Sequence, residues 1–359
     1  MPHYKIYVYA ICKNEEQFVD RWVASMSEAD GIFVLDTGST DGTVEKLTAY
    51  PNVTVTRETV APWRFDTARN RSLEPVLPDA DLCVCTDLDE VFVPGWRQGA
   101  EAALATGAQQ LRYRYIWSFT ADGREGTVFF ADKMHARQGF IWTHPVHEVL
   151  AYTGGGRPVI ATAQGVQLNH YPDQTKSRGG YLPLLELAVR ENPQDARDVH
   201  YLGREYLFAG RYDEAIAMLR RHLSLPGAVW DAERCASMRY IARCYAHKGD
   251  AAEAERWLLR ACAEAPRLRG PWMELARSAY EKEDWHAVIF AAVRALAVPE
   301  ADGGYMYDAA DYAARPHDLL SLAYYHTGDK KSALSHADKA LTYEPDNERL
   351  KRNRTFFES

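Results

Sequence analysis

The sequence predicts an α/β domain built on a mainly parallel sheet, followed by an all-α domain of helical repeats. Three observations carry that expectation. From Lys5 to Asp87, runs rich in Ile, Val and Tyr alternate with stretches of helical spacing. From Gln110 to about His170, strand-like runs follow one another across Gly-rich turns. Beyond about Ser177 the chain reads as helix to its end, and it repeats itself. The change of pattern divides it into residues 1–178 and 179–359.

Lys5 to Ile11 is the first expected strand. Asn14 then stands as a helix N-cap, with Gln17 in the capping-box position and Phe18, Trp22, Val23 and Met26 at helical spacing. Gly31 to Asp36 is a second strand. The stretch Asp36-Thr37-Gly38-Ser39-Thr40-Asp41-Gly42-Thr43 is a tight turn into a helix from about Val44, capped by Ser39, Thr40 or Asp41. Val53 to Arg57 is a third strand, and Asp66 caps a helix through Ala68, Leu73 and Val76. Ala80 to Cys85 reads as a buried fourth strand that runs out at Asp87. This order places helices on both faces of a parallel sheet. Gln110–Phe119, Val128–Lys133 and Arg157–Gln167 extend it in mixed or antiparallel fashion, with Asp122-Gly123 as a hairpin signal.

In the C-terminal part, Leu202-Gly203, Tyr206, Gly210, Ala215 and Leu219 set a pattern. It returns as Ala242, Tyr245, Gly249, Ala254 and Leu258, then with Leu275-Ala276 and Ala295. It returns again as Leu320, Tyr324, Gly328, Ala333, Ala340 and Pro345. Small residues at helix crossings, a Gly turn and a closing Pro mark tetratricopeptide units, here about four, spaced by roughly 34 to 45 residues. The third unit drifts, with Tyr280 one place late. Such arrays offer a concave binding surface.

The 359 residues suffice for two cores, and 47% hydrophobic with 26% charged residues is ordinary globular composition. A net charge of −8 argues against a nucleic-acid backbone as the main partner, though a local basic groove stays open. The six cysteines show no CxxC spacing, which fits a reducing, cytoplasmic compartment. Cys83 and Cys85 lie within an apolar strand and read as core residues. Neither a signal peptide nor a membrane span is expected.

The chemistry concentrates at Thr86-Asp87-Leu88-Asp89-Glu90. Carboxylates at the carboxyl end of a buried strand repel unless a cation or solvent neutralises them. Ligands of open α/β sheets bind at that end. Asp36 ends another strand at the same edge, placed to accept hydrogen bonds from a base or ribose.

Six segments in order resemble the glycosyltransferase family 2 proteins of the GT-A fold. They are Cys12-Lys13-Asn14-Glu15-Glu16, Val34 to Thr43, Phe65 to Leu73, Asp87 to Glu90, Val146-His147-Glu148-Val149-Leu150 and Asn169-His170-Tyr171. With its repeats, the chain further resembles a bacterial branch that includes lipopolysaccharide-core hexosyltransferases and sublancin-type peptide S-glycosyltransferases. The resemblance implies an inverting hexosyltransferase that uses a nucleotide sugar, most often a UDP-sugar, with Mn²⁺ or Mg²⁺. It implies uridine contacts from Glu16 and Asp36. It sets Asp87 near the ribose or sugar and at the metal, with Asp89 and His170 as metal ligands. An imidazole ligand favours Mn²⁺. Arg69 and Arg71 are candidates for phosphate or sugar contacts. Glu148 is the candidate base, with His147 as its orienter or a sugar contact. Trp117 and Trp142 are either sugar platforms or core. Where relatives often carry an Arg-rich strand, this chain reads Ala131-Asp132-Lys133-Met134-His135. The acceptor implied is a peptide, a protein or a glycan, and the repeats bind it or join two copies. Two alternatives stand beside this reading. One is a degenerate GT-A domain on a tetratricopeptide scaffold. The other is a transferase acting on modified DNA bases, which the acidic balance disfavours. A missing Gly-rich phosphate loop near the N-terminus disfavours a nucleotidyltransferase.

Overall fold

The first strand, β1 (Ile6–Cys12), is buried along its whole length. Its side chains alternate between two apolar layers, as a strand covered on both faces requires. Ile6, Val8 and Ala10 join a core with Trp22, Val34, Val84, Trp96 and Tyr113. Tyr7 and Tyr9 join another with Phe33, Cys83, Cys85 and Trp142. The computed structural model describes residues 4–120, 123, 125–173, 180–299 and 305–358. The chain divides into two compact units, Met1–Ala188 and Val189–Ser359. The expected boundary at 178/179 and Asp122 of the expected hairpin lie outside the described residues.

In the first unit, β2 (Gly31–Asp36), β3 (Val53–Arg57), β4 (Leu82–Thr86), β5 (Glu90–Phe92), β6 (Gln110–Ile116), β7 (Val128–His135) and β10 (Ile160–His170) join β1 in one mixed sheet. Its order is β3-β2-β1-β4-β7-β6-β10-β5. β1 to β4 pair in parallel, β10 is parallel to β6, and β7 and β5 run the other way. The carboxyl ends of β1, β2, β4, β6 and β10 therefore meet along one edge. A separate hairpin, β8 (Phe140–Thr143) with β9 (Val149–Tyr152), carries residues 144–148 at its turn.

Two expected helix caps are corrected. The helix α1 spans Val19–Ser25, and Asn14 lies before it with φ 55°. The Asn14 side chain instead accepts the Thr40 N–H at 2.8 Å, so a loop-to-loop bond displaces the local capping box. The helices α2 (Thr43–Thr48) and α3 (Phe65–Leu73) follow β2 and β3. In α3, Asp66 sits in the first turn rather than at the cap, pairing with Arg64 at 2.8 Å. β5 and α4 (Trp96–Leu104) are additions to the expected elements. The helix has a readable signal in the buried spacing of Trp96, Ala100, Ala103 and Leu104.

After α5 (Tyr181–Glu191), the second unit is an array of helix pairs. These are α6 (Ala196–Phe208) with α7 (Tyr212–Ser224), α8 (Asp231–His247) with α9 (Ala251–Glu264), and α10 (Arg269–Glu281) with α11 (Trp285–Ala297). The pair α12 (Ala314–His326) and α13 (Lys330–Tyr343) precedes a last helix, α14 (Glu348–Glu358). At the α6–α7 crossing, a Cβ on Gly203 would stand 2.6 Å from Leu219 Cγ, so only glycine allows that approach. All six cysteines are free and buried, and burial pushes the Cys83 thiol up to about 12 and that of Cys85 to about 11. No helix among the described residues is long and apolar enough to cross a membrane.

Inside this unit runs a buried polar chain. His222 Nε2 lies 3.2 Å from a Glu233 oxygen, and its Nδ1 lies 2.8 Å from Ser237 Oγ. Ser237 lies 2.7 Å from His200 Nδ1, and His200 Nε2 lies 2.6 Å from Tyr305 Oη. Both nitrogens of His200 are engaged by hydroxyls, Ser237 on one side and Tyr305 on the other, so the buried ring is satisfied in its neutral form. Burial, with help from His222, Arg204 and Arg197, holds His200 well below the usual histidine range. An unfolded chain binds this proton below pH about 6.5, whereas the folded one refuses it. Stability of this unit is therefore lost as pH falls from about 6.5 toward 5, by up to ~1.4 kcal/mol per pH unit. Calorimetric melts should show its transition several degrees lower at pH 5.5 than at 7.5, with a flatter dependence in His200→Gln.

Candidate active site

The loops after β1 and β2 form one corner of the sheet edge. Ser39 Oγ accepts the Asn14 N–H at 2.9 Å, and Thr43 Oγ1 accepts the Glu15 N–H at 2.8 Å. The Glu16 carboxylate accepts the Gly42 N–H at 3.1 Å and faces Lys46 at 3.7 Å. Any side chain at Gly42 would strike that carboxylate, 2.8 Å from an added Cβ. Asp36 is fully buried, and its oxygens accept N–H groups from Ser39 at 3.0 Å and Gly38 at 3.3 Å. Arg57 lies 3.4 Å away. Asp36 thus organises its own turn, a use the sequence pattern does not reveal. Asn14, Glu16, Gln17, Asp41 and Lys46 line a pocket of about 420 Å³ in this corner. Gln17 also bonds Asp173 at 3.1 Å, so the chain beyond β10 returns to the same place.

Next to β1, the end of β4 carries the acidic turn, displaced from Asp36 by two strand spacings, roughly 10 Å. Here Arg69 of α3 is decisive. It is 4% exposed, and its guanidinium reaches Asp87 Oδ1 at 2.7 Å and Glu148 Oε1 at 2.9 Å. Burial opposes its charge, yet the carboxylates of Asp87 and Glu148, with Cys85, hold its pKa above the usual arginine range. Burial likewise opposes ionisation of Asp87, but Arg69 and Lys133 keep that carboxyl far below its usual range. The hairpin bearing Glu148 is tied to the same helix. Asn70 exchanges two 2.9 Å bonds with the Trp142 backbone, and the Phe65 N–H donates to Pro145 O at 2.9 Å. His147 adopts φ 55°, with its ring edge-on to Tyr181 at 5.6 Å. The cation that orients Glu148 is therefore Arg69.

Asp89 and His170 come together across paired strands. Glu90 stands opposite His170 in the β5–β10 ladder, and the Tyr171 N–H donates to Asp89 O at 2.8 Å. His170 Nε2 then lies 3.3 Å from Asp89 Oδ2. His170 Nδ1 lies 2.9 Å from Trp117 O, which only accepts, so Nδ1 carries a proton. In the neutral ring, a lone pair on Nε2 faces a carboxylate lone pair. Only a proton or a cation between them removes that conflict. Burial opposes a proton there, but the Asp89 hydrogen bond and charge outweigh it and raise the His170 pKa. A backbone carbonyl on the far nitrogen is also how metal-ligating histidines are held. The donor set, one carboxylate oxygen and one imidazole nitrogen, fits a divalent cation of the manganese type.

The remaining expectations separate cleanly. Trp142 is core: it is 4% exposed and donates to Tyr9 Oη at 2.8 Å. Trp117 is 49% exposed and stacks on His170 at 4.4 Å, so it is no core residue. Arg71 pairs with Glu58 away from the acidic turn. Sequence reading missed Lys133, whose ammonium lies 2.7 Å from Glu90 and 3.6 Å from Asp87. Arg69→Met leaves two carboxylates without their shared cation and should lower stability by about 3 kcal/mol, read from the urea midpoint. Arg69→Lys should recover only part, because an ammonium does not span two carboxylates as the planar fork does.

Known proteins match the two parts of the chain separately. Residues 7–99 match the family described as glycosyl transferase family 2. Residues 272–359 match the prolyl 4-hydroxylase peptide-substrate-binding domain. No curated protein matches the chain. Among solved structures, MamA is similar at 17% identity, over 48% of this chain and 91% of that one, with a TM-score of 0.39. PilW, a type IV pilus biogenesis factor, is similar at 17% identity over 47% and 72%, with a TM-score of 0.38. A thermophilic TPR protein of Thermus thermophilus gives 19% identity over 49% and 88%, with a TM-score of 0.32. The chain carries a glycosyltransferase family 2 domain in its N-terminal part and a TPR-type domain at its C-terminal end.

Proposed function

We propose that this protein is a metal-dependent, inverting hexosyltransferase that takes its sugar from a nucleotide donor, most simply a UDP-sugar. The observation that carries the reading is the facing pair Asp89 and His170, two acceptors 3.3 Å apart with the imidazole tautomer set by Trp117. These two side chains would hold Mn²⁺ or Mg²⁺. When bound, the cation offsets the charge of the two phosphates and of the departing nucleoside diphosphate. Asp87 is already balanced by Arg69 and Lys133, so it serves as an acceptor for donor hydroxyls rather than as a principal metal ligand.

Glu16 receives the nucleoside in the corner pocket, and Asp36 holds the turn that carries Asp41 into the pocket's lining. Glu148 takes the proton from the attacking group of the acceptor as positive charge develops at the sugar carbon. Arg69 holds one carboxylate oxygen, and Oε2 receives the proton. His147, beside it at the hairpin turn, contacts the sugar. Trp117 offers an aromatic face to a sugar ring. The acceptor is a peptide, a protein or a glycan, and the repeats bind a polypeptide acceptor or join two copies of the chain.

Release of nucleoside diphosphate from a panel of UDP- and GDP-sugars tests this reading. One donor should be hydrolysed slowly with Mn²⁺, and not in EDTA. Asp89→Ala should lower that release at least a hundredfold while leaving the melting temperature within a few degrees. An active, metal-independent Asp89→Ala enzyme would sink the metal assignment.

A further inference from the structure

Glu90 follows the acidic pair and has no part in the proposed chemistry, yet three donors from three elements converge on it. It is 1% exposed. One carboxylate oxygen, Oε1, accepts from Tyr115 Oη of β6 at 2.7 Å and from Lys133 Nζ of β7 at 2.7 Å. The other, Oε2, accepts the backbone N–H of Asp87 at 3.0 Å. The Glu90 backbone stands opposite His170 in the β5–β10 ladder. A carboxylate so deeply buried is tolerated only with a cation and a full set of donors, and Lys133 with the two other donors supplies both. The charge serves the turn itself, because one of its three bonds goes to the main chain of Asp87.

We propose that Glu90 is the positioning residue of this site: it clamps the Asp87–Asp89 turn to β6 and β7, so that Asp89 faces His170 and Asp87 faces Arg69. The proposal rests on the metal reading above for its consequence, but its geometry does not depend on it. The clamp needs a carboxylate specifically. Glutamine keeps the shape, but its amide N–H₂ must face either the Asp87 N–H or the Lys133 and Tyr115 donors. One side of the clamp is then donor against donor. The turn loosens, although the packing around it is retained.

The test uses the full chain with Glu90→Gln and with Tyr115→Phe, which removes a single donor and keeps the ring. Two readouts are taken: affinity for Mn²⁺ alone by electron paramagnetic resonance, and hydrogen exchange of the metal-free protein by mass spectrometry. Glu90→Gln should weaken Mn²⁺ binding tenfold or more and speed exchange across residues 86–91 about tenfold. Distant peptides should change little, and the melting temperature should fall by only a few degrees, since Lys133 keeps Asp87 as a partner. Tyr115→Phe should move both readouts the same way by less. Wild-type Mn²⁺ affinity together with wild-type exchange in Glu90→Gln overturns the proposal. If the unaltered protein binds no Mn²⁺, the cation reading of Asp89 and His170 fails, and exchange alone decides the role of Glu90. If Glu90→Gln does not fold, unchanged exchange and affinity in Tyr115→Phe overturn the clamp.

Discussion

One buried guanidinium sets the terms for the first unit. Arg69 is shut away from water, so its charge has to be met by protein groups, and the groups that meet it are Asp87 and Glu148. Those residues belong to different elements, the end of β4 and the turn of the β8–β9 hairpin. Satisfying one cation therefore fixes the distance between the carboxylates of Asp87 and Glu148. A weaker or exposed ion pair would leave the hairpin free to drift, since surface pairs contribute little. Here the cost of an unpaired buried charge does the holding.

Around that cation the site is layered by charge. Lys133 and Arg69 balance Asp87 and Glu90, while Asp89 is directed at an imidazole instead. Two carboxylates separated by one residue thus meet opposite surroundings. One is locked in an ion-pair network. The other is held by the backbone of its own turn and of the neighbouring strand, with its side chain facing His170.

Much of this was legible in the sequence. The strands of the parallel half follow from unbroken apolar runs, and the repeats follow from small residues that recur where helices cross, as Gly203 against Leu219 shows. That Asp89 and His170 stand close together was also to be expected, from the order of segments that resemble a known family. Asn14 looks like a helix cap in any local window, but its partner, Thr40, comes from the turn after β2, whereas Asp66 is drawn to Arg64 just before the helix. Lys133 and Glu90 carry no local pattern at all, because ion pairs across strands leave no period in the sequence. Asp36 was read as an open acceptor because its turn amides cannot be seen until the backbone is placed.

The cysteines have a practical corollary. All six thiols are sequestered: Cys12, Cys83 and Cys85 in the first unit, and Cys235, Cys244 and Cys262 in the second. Alkylating reagents attack the thiolate, which the native protein suppresses by burial. Thiol labelling followed by peptide mapping therefore times the opening of each half by its own set of three reporters. A single cysteine introduced at the surface would also be the sole reactive handle on the folded molecule, ready for a fluorophore without removal of any native residue.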